Sequence, residues 1–529
     1  MSIIEQLKAH ILDNCPFGPT ADQDTAAGLM ARFVCDADSE SVFLLHGYAG
    51  TGKTSLVAAL VRALRQLGRK TVLLAPTGRA AKVFGMHAGQ AAYTIHKRIY
   101  RQKAFNGEAT DFAQGYNSHR GTLFIVDEAS MIANTGYQNS MFGTGCLLDD
   151  LMHYVYGGAG CRVMLVGDTA QLPPVGEDVS PALEAGILAG YGMRVYAATL
   201  EQVVRQADAS GILYNATMLR RLIAANAVAG MPQMRLKGFA DIRRLPGSEL
   251  IEALEQAYYR SGKEETIVIT RSNDRANRYN QGIRSRILGC EEEMSSGDHL
   301  LIVKNNYHWL KLLLPEQQTT AEALTQLAVK GDTEASGAQH TAADEPADGL
   351  DATDEQLAAT LKMDFLANGD VAIVRRFRNE RSEHGFRFVD ATLTFPDYDG
   401  LELEATLLLD TLMSPSPALT RAQQQQLFDS VWADYPEIST RRERMKAVQA
   451  DPLYNALQVK FAYAVTCHKA QGGQWQQVFI DQGYMTDDML DADYLRWLYT
   501  AITRATERVY LVNWPKEGLD AESRTMADD

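Results

Sequence analysis

The sequence predicts an α/β fold, and three observations carry that expectation. Short apolar runs at 43–47, 71–75, 122–126 and 162–166 have the length and apolar content of buried strands. The first two lead through polar, glycine-bearing turns into helical patterns, and all four end in residues able to do chemistry, where α/β sheets collect their ligands. Finally, 529 residues are too many for one ordinary core, which predicts two large domains with smaller insertions.

The stretch that organises the chain is Phe43-Leu44-Leu45-His46-Gly47-Tyr48-Ala49-Gly50-Thr51-Gly52-Lys53-Thr54. An apolar strand enters a glycine-rich turn that ends in Lys-Thr, the pattern of a phosphate-binding loop. Gly47, Gly50 and Gly52 let the backbone curl so that successive N–H groups, from Ala49 through Thr51 to Ser55, face nucleotide phosphates. Lys53 is then placed to reach the β- and γ-phosphates of ATP, and the Thr54 hydroxyl to hold Mg²⁺. Leu56, Leu60, Leu64 and Leu67 recur at helical spacing, so the positive end of the next helix also faces the phosphates, and Gly68 stops it.

Composition sets the class. At 46% hydrophobic and 22% charged the chain reads as soluble and globular. Residues 1–14 carry no basic-then-apolar leader and no apolar run approaches membrane-spanning length, so the expected setting is cytoplasmic, with no membrane partner. Six cysteines without a Cys-x-x-Cys pair predict reduced packing residues. A net charge of −15 argues against coating nucleic acid by bulk electrostatics but leaves room for a local basic channel. Much of the acidity falls at 314–360, among Ala, Thr, Gln and Gly, a composition that predicts disorder.

Upstream of the loop, 3–12 reads as a short amphipathic helix, and Gln23 opens another. A lone glutamine there is ordinarily solvated; beside a nucleotide site, its donor and acceptor suit the adenine edge. The strand 71–75 turns through Pro76-Thr77-Gly78-Arg79, followed later by Thr94-Ile95-His96, either a second phosphate cradle or an ordinary turn with a solvated basic face. A hairpin turn at 105–108 lies within an excursion at about 100–121. The strand 122–126 delivers Asp127 and Glu128, a pair suited to binding Mg²⁺ and polarising the attacking water. The strand 162–166 delivers Asp168 and Gln171 on a proline-stiffened loop that can sense a γ-phosphate.

Taken in this order, 47–54, 75–82, 127–130 and 167–175 resemble superfamily 1 helicases of the RecD, TraI and phage Dda type. So do 200–206, 462–472 and 498–505 downstream. The resemblance implies two RecA-like domains with parallel sheets and an SH3-like β insertion in the second. The expected limits are 1–205 for the first domain, 206–290 with 456–529 for the second, and 291–455 for the insertion. It implies that Arg205 and Arg504 close on the γ-phosphate, with Arg504 an arginine finger supplied within the molecule. It also implies that Pro76, Thr77, Gly78, Arg79, Thr94, His96, Thr466, His468 and Lys469 hold single-stranded DNA. The expected activity is ATP-driven movement along single-stranded DNA, 5′ to 3′, and unwinding of tailed duplex, in DNA repair or recombination.

Three departures qualify that picture: the acidic stretch, a longer link at 134–145, and the lack of an N-terminal accessory domain. The 100–121 excursion is also short for a strand-separating pin. Two alternatives stay open, a translocase that does not separate strands and a P-loop switch or adaptor without motor work.

Overall fold

The computed structural model describes residues 2–102, 112–136, 143–203, 210–227, 230–306, 308–310, 366–398 and 400–525. Arg205, the turn at 105–108 and the acidic stretch 314–360 lie outside them.

The first lobe opens with α1 (Ile3–Asp13) and α2 (Ala21–Cys35), each started by a capping box, from Ser2 with Glu5 and from Thr20 with Gln23. Then come β1 (Ser41–Gly47), α3 (Lys53–Gln66), β2 (Thr71–Ala75), α4 (Gly78–Ala88), β3 (Ala92–Thr94), α5 (Ile95–Ile99), β4 (Tyr100–Gln102), β5 (Phe112–Gln114), β6 (Leu123–Val126), α6 (Leu147–Tyr156), β7 (Arg162–Gly167), α7 (Ala185–Gly190) and β8 (Arg194–Leu200). Six of these strands form one parallel sheet in the order β3-β2-β6-β7-β1-β8. The expected central strands are all present, because runs such as Leu123–Val126 are buried on both faces. The edges β3 and β8 escape that pattern: β3 is only three residues, and β8 alternates buried with exposed positions. One face is filled by Leu56, Leu60 and Leu64 of α3 against Phe43 and Leu45, with Ala27, Met30 and Ala31 of α2 packed alongside.

The second lobe begins with α8 (Gly211–Ala224), β9 (Ile242–Leu245), α9 (Leu250–Ser261), β10 (Thr266–Thr270) and α10 (Asn273–Arg286). The chain then forms a separate compact unit made of β11 (His299–Ile302), β12 (Val371–Glu383), β13 (Phe386–Phe395), β14 (Leu401–Leu408), α11 (Arg421–Ala433), α12 (Arg441–Ala450) and β15 (Leu457–Phe461). It returns as β16 (Ala464–Thr466), α13 (Cys467–Ala470), β17 (Trp475–Asp481), α14 (Ala492–Ile502), β18 (Ala505–Val512) and α15 (Ala521–Thr525). The second sheet, β16-β10-β17-β18-β9, is also parallel, so the fold is α/β with two parallel sheets.

Strands β11 to β15 close a small barrel, the β insertion expected between the halves of the second lobe. Phe386 and Phe388 on β13 and Leu408 on β14 meet Leu427 and Val431 of α11 and Val448 of α12, so two helices seal one side of the barrel. Strands β4 and β5 pair antiparallel as a separate ribbon, the two arms of the expected excursion. All six cysteines are free thiols. Among the described residues no helix is long and apolar enough to cross a membrane.

Candidate functional site

The C-terminal ends of β1, β6 and β7 and the N-terminus of α3 face a cleft of about 320 Å³ whose far wall comes from the second lobe. The phosphate-binding loop needs its glycines for two different reasons. Gly50 and Gly52 hold φ of 77° and 80°, which side chains resist. A Cβ on Gly47 would stand 2.6 Å from Lys53 Cγ, so the lysine can fold over the loop only because that position is bare. Lys53 Nζ donates to Tyr48 O at 3.0 Å and to Gly47 O. It lies 3.9 Å from Asp168 Oδ2.

Asp127 and Glu128 leave the end of β6 together. Burial, reinforced by the neighbouring Glu128, pushes the Asp127 carboxyl up to about 6. Its Oδ1 accepts the Glu128 N–H at 2.9 Å. Glu128 takes a left-handed backbone, φ 54°, unusual for a residue with a Cβ and a form of strain that concentrates at functional sites. That turn aims its carboxylate across the cleft, where Glu128 Oε1 stands 3.9 Å from Arg504 Nη1. Arg504 is 3% exposed and held by Thr500 O at 3.1 Å and Gly473 O at 3.3 Å, so its guanidinium is fixed by the second lobe.

Most predicted nucleotide residues converge here. Gln23, Ala49, Gly50, Gly52, Lys53, Thr54, Ser55, Asp127, Glu128, Gln171 and Arg504 all line the cleft. Thr51 does not; its hydroxyl turns back to Tyr48 O at 2.8 Å. Gln23 is more committed than its sequence position suggests: Oε1 accepts from Thr20 N at 3.1 Å and Nε2 donates to Thr51 O at 3.0 Å, tying α2 to the loop. Among the described residues, no group of three His, Cys, Asp or Glu could hold a metal. Thr54 and Asp127, both lining the cleft, could supply the one or two protein oxygens that Mg²⁺ takes beside phosphates.

The residues expected to hold DNA are dispersed over several local roles. Thr77 caps α4 by accepting from Ala80 N at 3.2 Å, and Thr94 caps α5 by accepting from Lys97 N at 3.2 Å. Pro76 and Gly78 flank that first cap, at the end of β2. Arg79 reaches the second lobe, its guanidinium 4.3 Å above the Trp475 ring and donating to Gln474 O at 2.8 Å. Burial pushes the His96 imidazole down to about 4, so it is neutral. Thr466 ends β16 and leads into α13, which carries His468 and Lys469. Burial lowers both, Lys469 to about 8, and Lys469 Nζ has no hydrogen-bond partner among the described residues.

Sequence reasoning missed two contacts between the lobes, at Tyr499 and Thr500, and the neighbour of a third residue. Asp168, assigned only a sensing role on its loop, faces Lys53 directly. Tyr499 and Thr500 of α14 bond to the first lobe, to Asp168 and to Leu172. Adjacent Tyr499 and Thr500 among the apolar Leu498, Ala501 and Ile502 were the available signal, since a buried hydroxyl needs a partner.

Residues 29–230 match the AAA domain family and residues 461–512 match the UvrD-like helicase C-terminal domain family. Curated relatives include the ATP-dependent RecD2 DNA helicase of Deinococcus radiodurans, 34% identical over 172 residues, 32% of this chain and 20% of that protein. The multifunctional conjugation protein TraI of Escherichia coli K12 is 29% identical over 182 residues, 33% of this chain and 9% of that protein. The matched region therefore spans about a fifth or less of these relatives. Among solved structures, a Pif1 helicase from Bacteroides, in complex with ADP-AlF3 and single-stranded DNA, aligns over 97% of this chain and 96% of that one, at 14% identity and a TM-score of 0.42.

Proposed function

We propose that this chain, whose residues 29–230 and 461–512 match the two family models, is a superfamily 1 helicase of the RecD and TraI type that hydrolyses ATP with Mg²⁺ to move along single-stranded DNA, 5′ to 3′, and to unwind tailed duplex. The observation that carries this reading is the convergence of Arg504 from one lobe with Lys53 and Glu128 from the other on a single cleft. Transition-state charge on a transferred phosphoryl group is neutralised only when both lobes meet, which makes ATP a closing signal.

In this reading Lys53 neutralises phosphate charge, Thr54 and Asp127 hold Mg²⁺, Glu128 polarises the attacking water and Gln171 senses the γ-phosphate. Arg504 acts as the finger, with Arg205 as a second arginine, and Gln23 lies at the adenine end. Pro76, Thr77, Gly78, Arg79, Thr94, His96, Thr466, His468 and Lys469 hold the DNA strand. The lobe limits 1–205, 206–290 with 456–529, and 291–455 belong to the same proposal, with the barrel continuing to Phe461 through β15. So do a cytoplasmic setting and a role in repair or recombination.

A second reading, a translocase that does not separate strands, is favoured by the shortness of the β4 and β5 arms, which pair over three residues each. Strand displacement on duplexes with 5′ or 3′ single-stranded tails tests both. Unwinding from 5′ tails alone is expected. Unwinding from 3′ tails alone overturns the polarity, and DNA-stimulated ATP turnover without unwinding of either substrate favours the translocase.

A further inference from the structure

We propose that Tyr499 is a positioning residue for ATP hydrolysis, its hydroxyl coupling closure of the second lobe to the phosphate-binding loop and to Asp168. The inference rests on the reading of the cleft as an ATP-hydrolysing site. Tyr499 sits in α14 of the second lobe and is 1% exposed, yet both hydrogen bonds of its hydroxyl go to the first lobe. It donates to Asp168 Oδ2 at 2.6 Å and accepts from Ala49 N at 3.0 Å. A phenylalanine would fill the same volume, so packing alone does not account for the oxygen. A buried hydroxyl costs free energy unless it is satisfied, and here satisfaction requires the lobes to be together.

The partner matters as much as the bond. Asp168 is 1% exposed, and its other oxygen accepts from Ala170 N at 3.0 Å, so its carboxylate is held at both ends. The oxygen that Tyr499 engages is the one 3.9 Å from Lys53 Nζ. Burial, with Asp168 alongside, raises the Tyr499 hydroxyl well above the ordinary phenol range, so it stays a donor. By donating, Tyr499 draws charge from the carboxylate that competes with phosphate for Lys53. Without that bond, Asp168 would hold the lysine back from the phosphates.

The second lobe also holds the loop that follows, through Thr500 of the same helix and Gln471 after α13. Leu172 N donates to Thr500 Oγ1 at 2.9 Å, and Leu172 O accepts from Gln471 Nε2 at 2.8 Å. Between the held Asp168 and Leu172 lies Gln171, whose Oε1 is buried without a hydrogen-bond partner among the described residues, on a side chain that lines the cleft. Parting the lobes would break these contacts together, loosening the phosphate-binding loop, Asp168 and Gln171 in one step.

The test compares Tyr499→Phe, Asp168→Asn, the double variant and Lys53→Ala in the full chain, by thermal melting, affinity for a fluorescent ATP analogue, and turnover at saturating single-stranded DNA. Tyr499→Phe should melt like the wild type while nucleotide affinity falls and kcat drops about tenfold or more. The double variant should be no slower than the slower single variant, because both remove one interaction. Wild-type kcat in Tyr499→Phe, or losses that multiply in the double variant, would overturn the coupling. Undiminished turnover in Lys53→Ala would instead overturn the underlying reading of the cleft.

Discussion

Arg504 Nη1 and Glu128 Oε1 face each other at 3.9 Å, one anchored in each lobe, and both line the cleft. Such a pair sets a test of division of labour under the proposed function, in which the arginine would stabilise charge that develops during reaction and the carboxylate would orient or deprotonate water. Glu128→Gln should bind an ATP analogue as the wild type does, yet turn over about a hundredfold more slowly or worse. Lost nucleotide binding in that variant would make Glu128 a structural residue of the turn.

The bare position under Lys53 gives a prediction that removes no functional group. A Cβ at Gly47 would meet Lys53 Cγ at 2.6 Å and Thr51 Oγ1 at 2.9 Å, so Gly47→Ala must displace the lysine. ATP affinity and turnover should both fall while the melting transition stays cooperative. Lys53→Ala should abolish turnover with the fold intact, because the amine neutralises phosphate charge and fills no core. Turnover that survives in either variant would separate the lysine from catalysis.

Much of this site is legible in the sequence because its parts are local. Strand, glycine turn and helix at 41–66 are contiguous, and Asp127 and Glu128 follow a run of apolar residues that is buried throughout. What escapes is long-range. Tyr499 and Asp168 are 331 residues apart, and nothing in either neighbourhood names the other as partner. Gln23 is a milder case: the helix start is legible from Thr20, but the amide's bond to Thr51 O depends on how α2 lies against the loop. The edge strand β8 and the three-residue β3 and β16 lack the unbroken apolar run that marks the sheet centres.

Lys469 predicts a pH dependence of DNA binding. Burial lowers its amine from 10.5 to about 8, so it is charged below that pH and loses its proton above it. Affinity for single-stranded DNA should therefore fall as pH rises from about 7 to about 9, and Lys469→Arg, which stays charged, should flatten the profile. Lys469→Ala should also reduce the salt slope of binding by about 0.7, the share of one phosphate contact on a single strand. An arginine variant that follows the wild-type pH profile would exclude Lys469 as the titrating group.

The barrel carries an independent titration. Asp370 is buried, accepts from Ala367 N at 2.7 Å and Tyr398 OH at 3.0 Å, and burial pushes its carboxyl up to about 7. A folded-state value above the ordinary 3.8 means that the folded barrel keeps a proton the unfolded chain has released. Its stability should thus decline as pH rises from about 4 to about 7 and level off beyond, by roughly a few kcal/mol in all. Hydrogen exchange of the barrel strands across that window measures it, and Asp370→Asn should flatten the slope whatever its effect on absolute stability. An unchanged slope in the variant would assign the titration elsewhere.

The central claim, that ATP chemistry here depends on an arginine delivered by the second lobe, is tested most directly by ATP turnover of the wild type and Arg504→Ala with and without single-stranded DNA. The account predicts strong stimulation in the wild type, and in Arg504→Ala full DNA binding with the stimulation gone. Stimulation that persists in Arg504→Ala, or a wild-type rate indifferent to DNA, would contradict it.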